Sequence, residues 1–199
     1  YRFIAFSPQG KPMHPRTNWY ALQQNLKKYA RNKSMAADID AFDEKLKAGY
    51  ETDETLAALW MIRVTGMRNS KNKTLTPKEK RENTQHLKMA KQSPTFDPDN
   101  YKPLHYIAYG ASNLEARHVT INKDSVRFRF RGKKFVAIDF TVKDPDLVKA
   151  MQKWTEGKSG HDQVFPNTNS DQNLEVVKES FGDDAIVHEL RTLKATTMA

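Results

Sequence analysis

The chain of 199 residues contains no cysteine, which excludes disulfides, thiol catalysis and cysteine-ligated zinc. That usage fits an intracellular protein, with the cytoplasm, the nucleoid or a virus or phage particle as expected locations. No apolar run is long enough to span a membrane, and no signal peptide is visible. Glycine is sparse, at 8 residues, and no Walker-type phosphate loop is present, which argues against an ATP-driven machine. The histidines at 14, 86, 105, 118, 161 and 188 are scattered, and no two have metal-ligand spacing. Neither a metal nor any other cofactor is expected. Acids are outnumbered, 24 against 33 Lys and Arg, for a net charge of +9 and a pI near 9.6.

What remains describes a folded, wet, basic protein. A hydrophobic fraction of 38%, with 3 Trp, 10 Phe and 7 Tyr, supports a core. A mean hydropathy of -0.80 and 29% charged residues indicate a charged surface. The excess of cations favours a polyanionic partner. Nucleic acid ranks ahead of an acidic membrane, because no concentrated amphipathic basic helix is seen.

Periodicity organises the chain. Tyr1 to Phe6 alternate as a short strand, followed by a Ser7-Pro8-Gln9-Gly10 turn. Helical patterns cover Trp19 to Tyr29, Ala36 to Leu46 with Gly49 as its stop, and Thr55 to Val64. Residues 66–104 change character, with Pro77, Pro94, Pro98 and Pro103 breaking any core pattern, and read as a surface insertion. Within them, Thr76-Pro77-Lys78-Glu79 combines an N-cap, a first-turn proline and a capping-box glutamate, predicting a polar helix to about Gln92. Further helices are expected over Pro145 to Trp154, Leu174 to Phe181 and Ala185 to Met198. The fold class is therefore α+β, mainly α, with helices around a small antiparallel sheet. The chain opens without methionine and stops at Ala199 inside a helical pattern with no terminator, as expected of a piece cut at both ends.

The sheet comes from Arg117 to Val142, which reads as two successive hairpins. Alternation puts Arg127, Arg129 and Arg131 on one face and Val126, Phe128 and Phe130 on the other. Val136, Ile138 and Phe140 then alternate with Ala137, Asp139 and Thr141, so Gly132-Lys133 falls where a Gly-X turn belongs. Lys133 is thus presented at a hairpin tip beside Lys134, on a basic ribbon suited to phosphate.

Two arginines stand out on apolar tracks. Arg63 follows Leu56, Leu59 and Trp60 on one helical stripe, and a buried guanidinium requires a counter-charge. It either snorkels at the core edge, pairs with an acid such as Asp139, or meets a ligand anion. Arg191 lies on the line of Val187 and Met198, where a solvated helix residue is the alternative. Lys133 taken alone is an ordinary hairpin-tip lysine.

Together these segments resemble the type IB DNA topoisomerases of the poxviral and bacterial kind. Ile62-Arg63-Val64 with Gly66-Met67 is similar to the family's arginine segment, and Tyr109-Gly110, Leu114 and Arg117-His118-Val119 to its lead into the sheet. Phe128-Arg129-Phe130-Arg131-Gly132-Lys133 is similar to its lysine hairpin, Leu190-Arg191-Thr192 to its second arginine, and Gly10-Lys11 with His14-Pro15-Arg16 to the join from an N-terminal clamping domain. The resemblance implies that residues 1–16 end an N-terminal region and residues 17–199 form a catalytic domain of the topoisomerase and tyrosine-recombinase superfamily. It implies relaxation of supercoiled double-stranded DNA by transient single-strand cleavage through a 3′-phosphotyrosine, without ATP or metal, by a monomer. Arg63 and Arg191 would clamp the scissile phosphate and Lys133 would serve as general acid. Arg127, Arg129, Arg131, Lys134, Arg117 and His118 would bind DNA.

The family places a histidine and then the nucleophilic tyrosine after the second arginine. Here only Thr192 to Ala199 follow Arg191, and the last tyrosine is Tyr109. His188 precedes Arg191 and does not match the family's histidine. The 199 residues are accordingly expected not to cleave DNA alone. Asn113 stands where the family tends to have threonine, and the stretch 66–104 is longer than the resemblance leads one to expect. Two competing readings share the residues: a tyrosine recombinase or integrase, and a noncatalytic DNA-binding domain of a larger phage or viral protein.

Overall fold

A computed structural model of the chain describes residues 5–6, 12–13, 15–71, 74–98 and 101–197, without the side chains of 5–6, 12–13, 15–20 and 195–197. In chain order it runs through β1 (Ala5–Phe6), β2 (Pro12–Met13), α1 (Pro15–Ala37), α2 (Ile39–Gly49), α3 (Glu54–Thr65) and α4 (Pro77–Ala90). There follow β3 (Val119–Ile121), β4 (Val126–Arg131), β5 (Ala137–Val142), α5 (Pro145–Thr155), α6 (Ser170–Phe181) and α7 (Val187–Thr197). Helices around the antiparallel sheet β3-β4-β5 make this the mainly helical α+β fold expected. The strand expected over Tyr1 to Phe6 is described only at Ala5–Phe6, which pairs with Pro12–Met13. Residues 1–4 lie outside the described residues.

α3 is the axis of the domain. Its six consecutive residues Ala57 to Ile62 are all buried, the signature of a helix surrounded by others. α2, α5, α6 and α7 pack around it. Asp53 caps its start, accepting from the Thr55 and Leu56 amides at 2.7 and 3.2 Å. Gly66 ends it in the left-handed region at φ +70°, with its N–H returning to the Ile62 carbonyl at 2.8 Å.

Several boundaries differ from the periodic reading. α1 continues past Tyr29 to Ala37, so α2 begins at Ile39 rather than Ala36, and Gly49 is its last helical residue rather than the stop. The α1 extension carries Met35, which is buried, and Arg31, whose Nε donates to Glu189 Oε1 at 2.7 Å. The Glu189 side chain is wholly buried, so this pair fastens α7 to α1. α6 begins at Ser170, ahead of its apolar stretch, because Asn169 accepts from the Asp171 and Gln172 amides.

α4 buries none of its residues, and its capping box has both hydrogen bonds in place. Asn83 holds it to the following segment by exchanging two bonds with the His105 backbone, at 2.7 and 2.8 Å. Residues 66–70 behave differently from the rest of this stretch: Met67 is buried, and Asn69 and Ser70 bond into the body of the domain. No helix among the described residues is long and apolar enough to cross a membrane.

The sheet follows its binary pattern. β4 alternates buried and exposed without exception, with Val126, Phe128 and Phe130 inward and Arg127, Arg129 and Arg131 outward. Its apolar face packs against α5, which contributes the buried Leu147 and Met151.

Candidate functional site

The β4 and β5 strands pair with Arg131 opposite Ala137, so the connection is the loop 132–136 and not a two-residue Gly-X turn. Gly132 N–H closes it on the Val136 carbonyl at 2.8 Å. Inside, Lys134 and Phe135 both adopt left-handed backbone, at φ 61° and 62°, a conformation that disfavours residues with a Cβ. Phe135 anchors the loop against Tyr106, with ring centroids 5.2 Å apart, and carries the Arg131 guanidinium over its face at 4.9 Å. Lys133 and Lys134 remain exposed at the tip.

From that tip a cleft of about 550 Å³ extends between the sheet and the ends of α3 and α7. Lys133, Lys134, Arg68 and Arg191 line it, over an apolar floor of Phe130, Ile138 and Phe140. No carboxylate is among its lining residues. Arg191 enters from α7 and donates through Nε to the Gly66 carbonyl, so the α3 terminus and α7 brace each other there. Burial, and then the nearby Arg68 guanidinium, lower the pKa of Arg191 from its ordinary value, although a guanidinium stays charged at neutral pH. Two like charges beside one another in a carboxylate-free cleft form a seat for an anion.

The predicted residues divide around this cleft. Lys133, Lys134 and Arg191 are brought together in it. Arg63 is not among its lining residues. It is half-buried on α3, and its Nε donates to Asp43 at 2.9 Å, so its carboxylate is Asp43 rather than Asp139. Asp139 belongs to the outer face of the sheet, where it accepts two bonds from Arg127, both at 2.7 Å, and lies 3.8 Å from Arg129. The Arg127 hydrogen bonds hold the Asp139 carboxyl below its ordinary range.

Arg127, Arg129 and Arg131 therefore project from the opposite face of the sheet to the apolar floor of the cleft. Arg129 and Arg131, with Arg117, border a second groove of about 510 Å³. Arg117 is paired with Glu115 at 2.7 Å and donates to the Tyr109 hydroxyl at 3.3 Å. His118 sits behind this surface. It is only 8% exposed, lies 4.2 Å from the Tyr109 ring, and its Nδ1 accepts from the Glu115 amide. Burial lowers its pKa, and it forms part of the wall of this second groove. Tyr109 is also unsuited to attack: its hydroxyl donates to Glu115 at 2.7 Å, and burial raises its pKa.

Arg68 escaped the sequence reading, because it follows a helix cap and has no periodic neighbours. The signal available was the Gly66 terminator followed closely by an unpaired cation. Its backbone carbonyl accepts from Ala111 N–H at 2.8 Å, at the point where the chain crosses Gly110. A Cβ on Gly110 would lie 2.4 Å from that carbonyl oxygen and 2.9 Å from Ser70 Oγ. Gly110→Ala is thus expected to lower stability by about 1–3 kcal/mol through forced displacement of backbone. Urea denaturation checks this, and an unchanged midpoint would show that the crossing yields freely.

Comparison with known proteins places the C-terminal half of the chain. Residues 103–199 match the family model described as eukaryotic DNA topoisomerase I, catalytic core. No curated protein shows a significant match. The matched stretch contains the lysine loop and α7, and supports a topoisomerase I-like, DNA-binding domain with an isomerase's chemistry.

Proposed function

We propose that this chain supplies the phosphate-handling part of a type IB DNA topoisomerase, with the poxviral and bacterial enzymes as its likeness in sequence. The observation that carries the reading is the cleft itself. Lys133 and Arg191, distant in sequence, share one carboxylate-free cleft with an apolar floor, and both fall in the segment similar to a topoisomerase I core.

The chemistry follows from the side chains. A tyrosine oxygen attacks the phosphorus of a DNA phosphodiester, a bond to the 5′ oxygen breaks, and a 3′-phosphotyrosine forms. Arg191 stabilises the negative charge on the nonbridging oxygens as the five-coordinate state develops. Arg63 is kept as the second clamp residue on its likeness in sequence alone, since its Nε is held by Asp43 and it does not line the cleft. Lys133 gives its proton to the departing 5′ oxygen, which would otherwise be a poor leaving group. Religation reverses each step, so the covalent bond stores the energy and no ATP or metal is required. Arg117, Arg129 and Arg131 hold the duplex along the outer groove.

Tyr109, the last tyrosine of residues 1–199, is committed to Glu115 and is not assigned as the nucleophile. Residues 1–199 are expected to bind duplex DNA with an affinity that falls steeply with salt, and to leave supercoiled plasmid unrelaxed. A form of the protein that also carries the tyrosine is expected to relax plasmid in the presence of a metal chelator, with protein trapped on 3′ ends by denaturant. Relaxation by residues 1–199 alone would sink the assignment of the nucleophile. Strand exchange between two sites in place of relaxation would favour a recombinase, and binding without cleavage a noncatalytic module.

A further inference from the structure

We infer that Tyr106 is a positioning residue for Lys133: held in place by α4, it buttresses Phe135 and so fixes the loop 132–136 in one conformation. The inference rests on the reading of Lys133 as general acid. It adds a support from outside the site, since none of the described residues between 74 and 106 lines the cleft.

The loop needs such a support. Lys134 and Phe135 stand in left-handed backbone at φ 61° and 62°, a conformation that persists in residues with a Cβ only where the surroundings over-determine it. Inside the loop, Gly132 N–H donates to the Val136 carbonyl at 2.8 Å and Phe135 N–H to the Gly132 carbonyl at 3.0 Å. Lys133, Lys134 and Val136 are exposed, which leaves the half-buried Phe135 as the side chain by which the domain can grip the loop.

That grip is Tyr106, which meets Phe135 edge-on at 68° with ring centroids 5.2 Å apart. Tyr106 is fixed from both sides along the chain. Before it, the His105 backbone exchanges its two bonds with Asn83 of α4, and His105 Nε2 lies 2.6 Å from Glu82 Oε2 on the same helix. After it, Tyr109 N–H donates to the Arg131 carbonyl at 3.0 Å, tying the segment to the end of β4 where the loop begins. His86, also on α4, places Nδ1 2.9 Å from the Tyr101 hydroxyl, and the Phe96 ring packs on Tyr101 at 5.8 Å. A helix that buries none of its own residues, yet directs Glu82, Asn83 and His86 at one extended segment, serves to hold that segment.

Amide hydrogen exchange on the 199-residue chain tests the support without reference to activity. Tyr106→Ala is expected to speed exchange at Gly132 and Phe135 about two- to tenfold, through loss of one aromatic pair. Tyr106→Phe keeps the ring and should match the parent. Asn83→Ala, which reaches the loop only through the His105 backbone, should speed the same two amides, while the amides of α3 stay unchanged in every variant. Parent-like exchange at Gly132 and Phe135 in a folded Tyr106→Ala chain would overturn the support. In a form of the protein that cleaves, Tyr106→Ala should slow cleavage about 10–10²-fold by misplacing Lys133, with duplex affinity unchanged. Sulfur in place of the bridging 5′ oxygen should abolish that loss, because the leaving group then needs no donated proton. If sulfur rescues Lys133→Ala but not Tyr106→Ala, the positioning role is overturned. If it rescues neither, the general-acid reading falls, and the support of the loop stands or falls on the exchange result.

Discussion

Replacing Lys133 by alanine is expected to slow strand cleavage by about 10²–10⁴-fold, the usual contribution of a general acid, in a form of the protein that cleaves. Duplex affinity should change by no more than about threefold, since one exposed lysine among several cleft cations contributes little to binding. The difference between the two effects separates proton donation from charge. A substrate with sulfur in place of the bridging 5′ oxygen sharpens the test, because a thiolate, with a pKa of about 8.5, leaves without a donated proton. Cleavage of that substrate should be nearly insensitive to Lys133→Ala. Parallel losses in affinity and cleavage, with no rescue by sulfur, would reduce Lys133 to a phosphate contact.

The second large effect concerns the fold. Arg31→Ala leaves the fully buried Glu189 carboxylate without the guanidinium that neutralises it. Loss of one member of a buried pair costs about 3–5 kcal/mol, and the partial exposure of Arg31 places this case near 3 kcal/mol. In a domain of this size that corresponds to a fall in melting temperature of about 6–12 °C. Arg31→Ala combined with Glu189→Gln should recover part of the loss, because the stranded charge is gone. A melting temperature within about 2 °C of the parent for Arg31→Ala would mean that water reaches Glu189 in solution.

Much of this architecture was legible in periodicity and caps. The α4 start at Thr76-Pro77 and the inward Val126, Phe128 and Phe130 required only local rules, and the structure follows them. What escaped is what depends on distant neighbours. The α1 extension beyond Tyr29 has few apolar residues, and its stabilising feature, Arg31, faces a carboxylate that no local pattern could pair with it. Asp139 shows the same limit from the other side. Its alternation with Ile138 and Phe140 already put it on the arginine face of the sheet, yet Arg63 needed an acid and Asp139 was within the set of choices. The register decides, setting Asp139 opposite Arg129 and diagonal to Arg127.

The candidate site was half legible for the same reason. Lys133 and Arg191 were visible as a tip lysine and a charge on an apolar track, and they meet in one cleft. The arginine row was correctly alternated, but alternation alone does not say which face borders the cleft, and the row turns away from its floor. The lysine loop was shortened in the reading because Val136 resembles a strand residue, whereas Phe135 turns the chain through left-handed backbone to reach Tyr106. Arg68 had no signal of its own type, since what places it is the bonding of Asn69 and Ser70 into the body of the domain.

The Arg31–Glu189 pair also fixes an order of events during synthesis. The two residues are 158 positions apart, so at translation rates of about 5–20 residues per second α1 waits on the order of ten to thirty seconds for its partner to be made. Until then α1 has nothing to neutralise Arg31, and α3 lacks the neighbour that covers its α7 side. The nascent chain must therefore carry an open core past the ribosome exit, and a stall anywhere before Glu189 would hold it in the state most exposed to proteases and to aggregation.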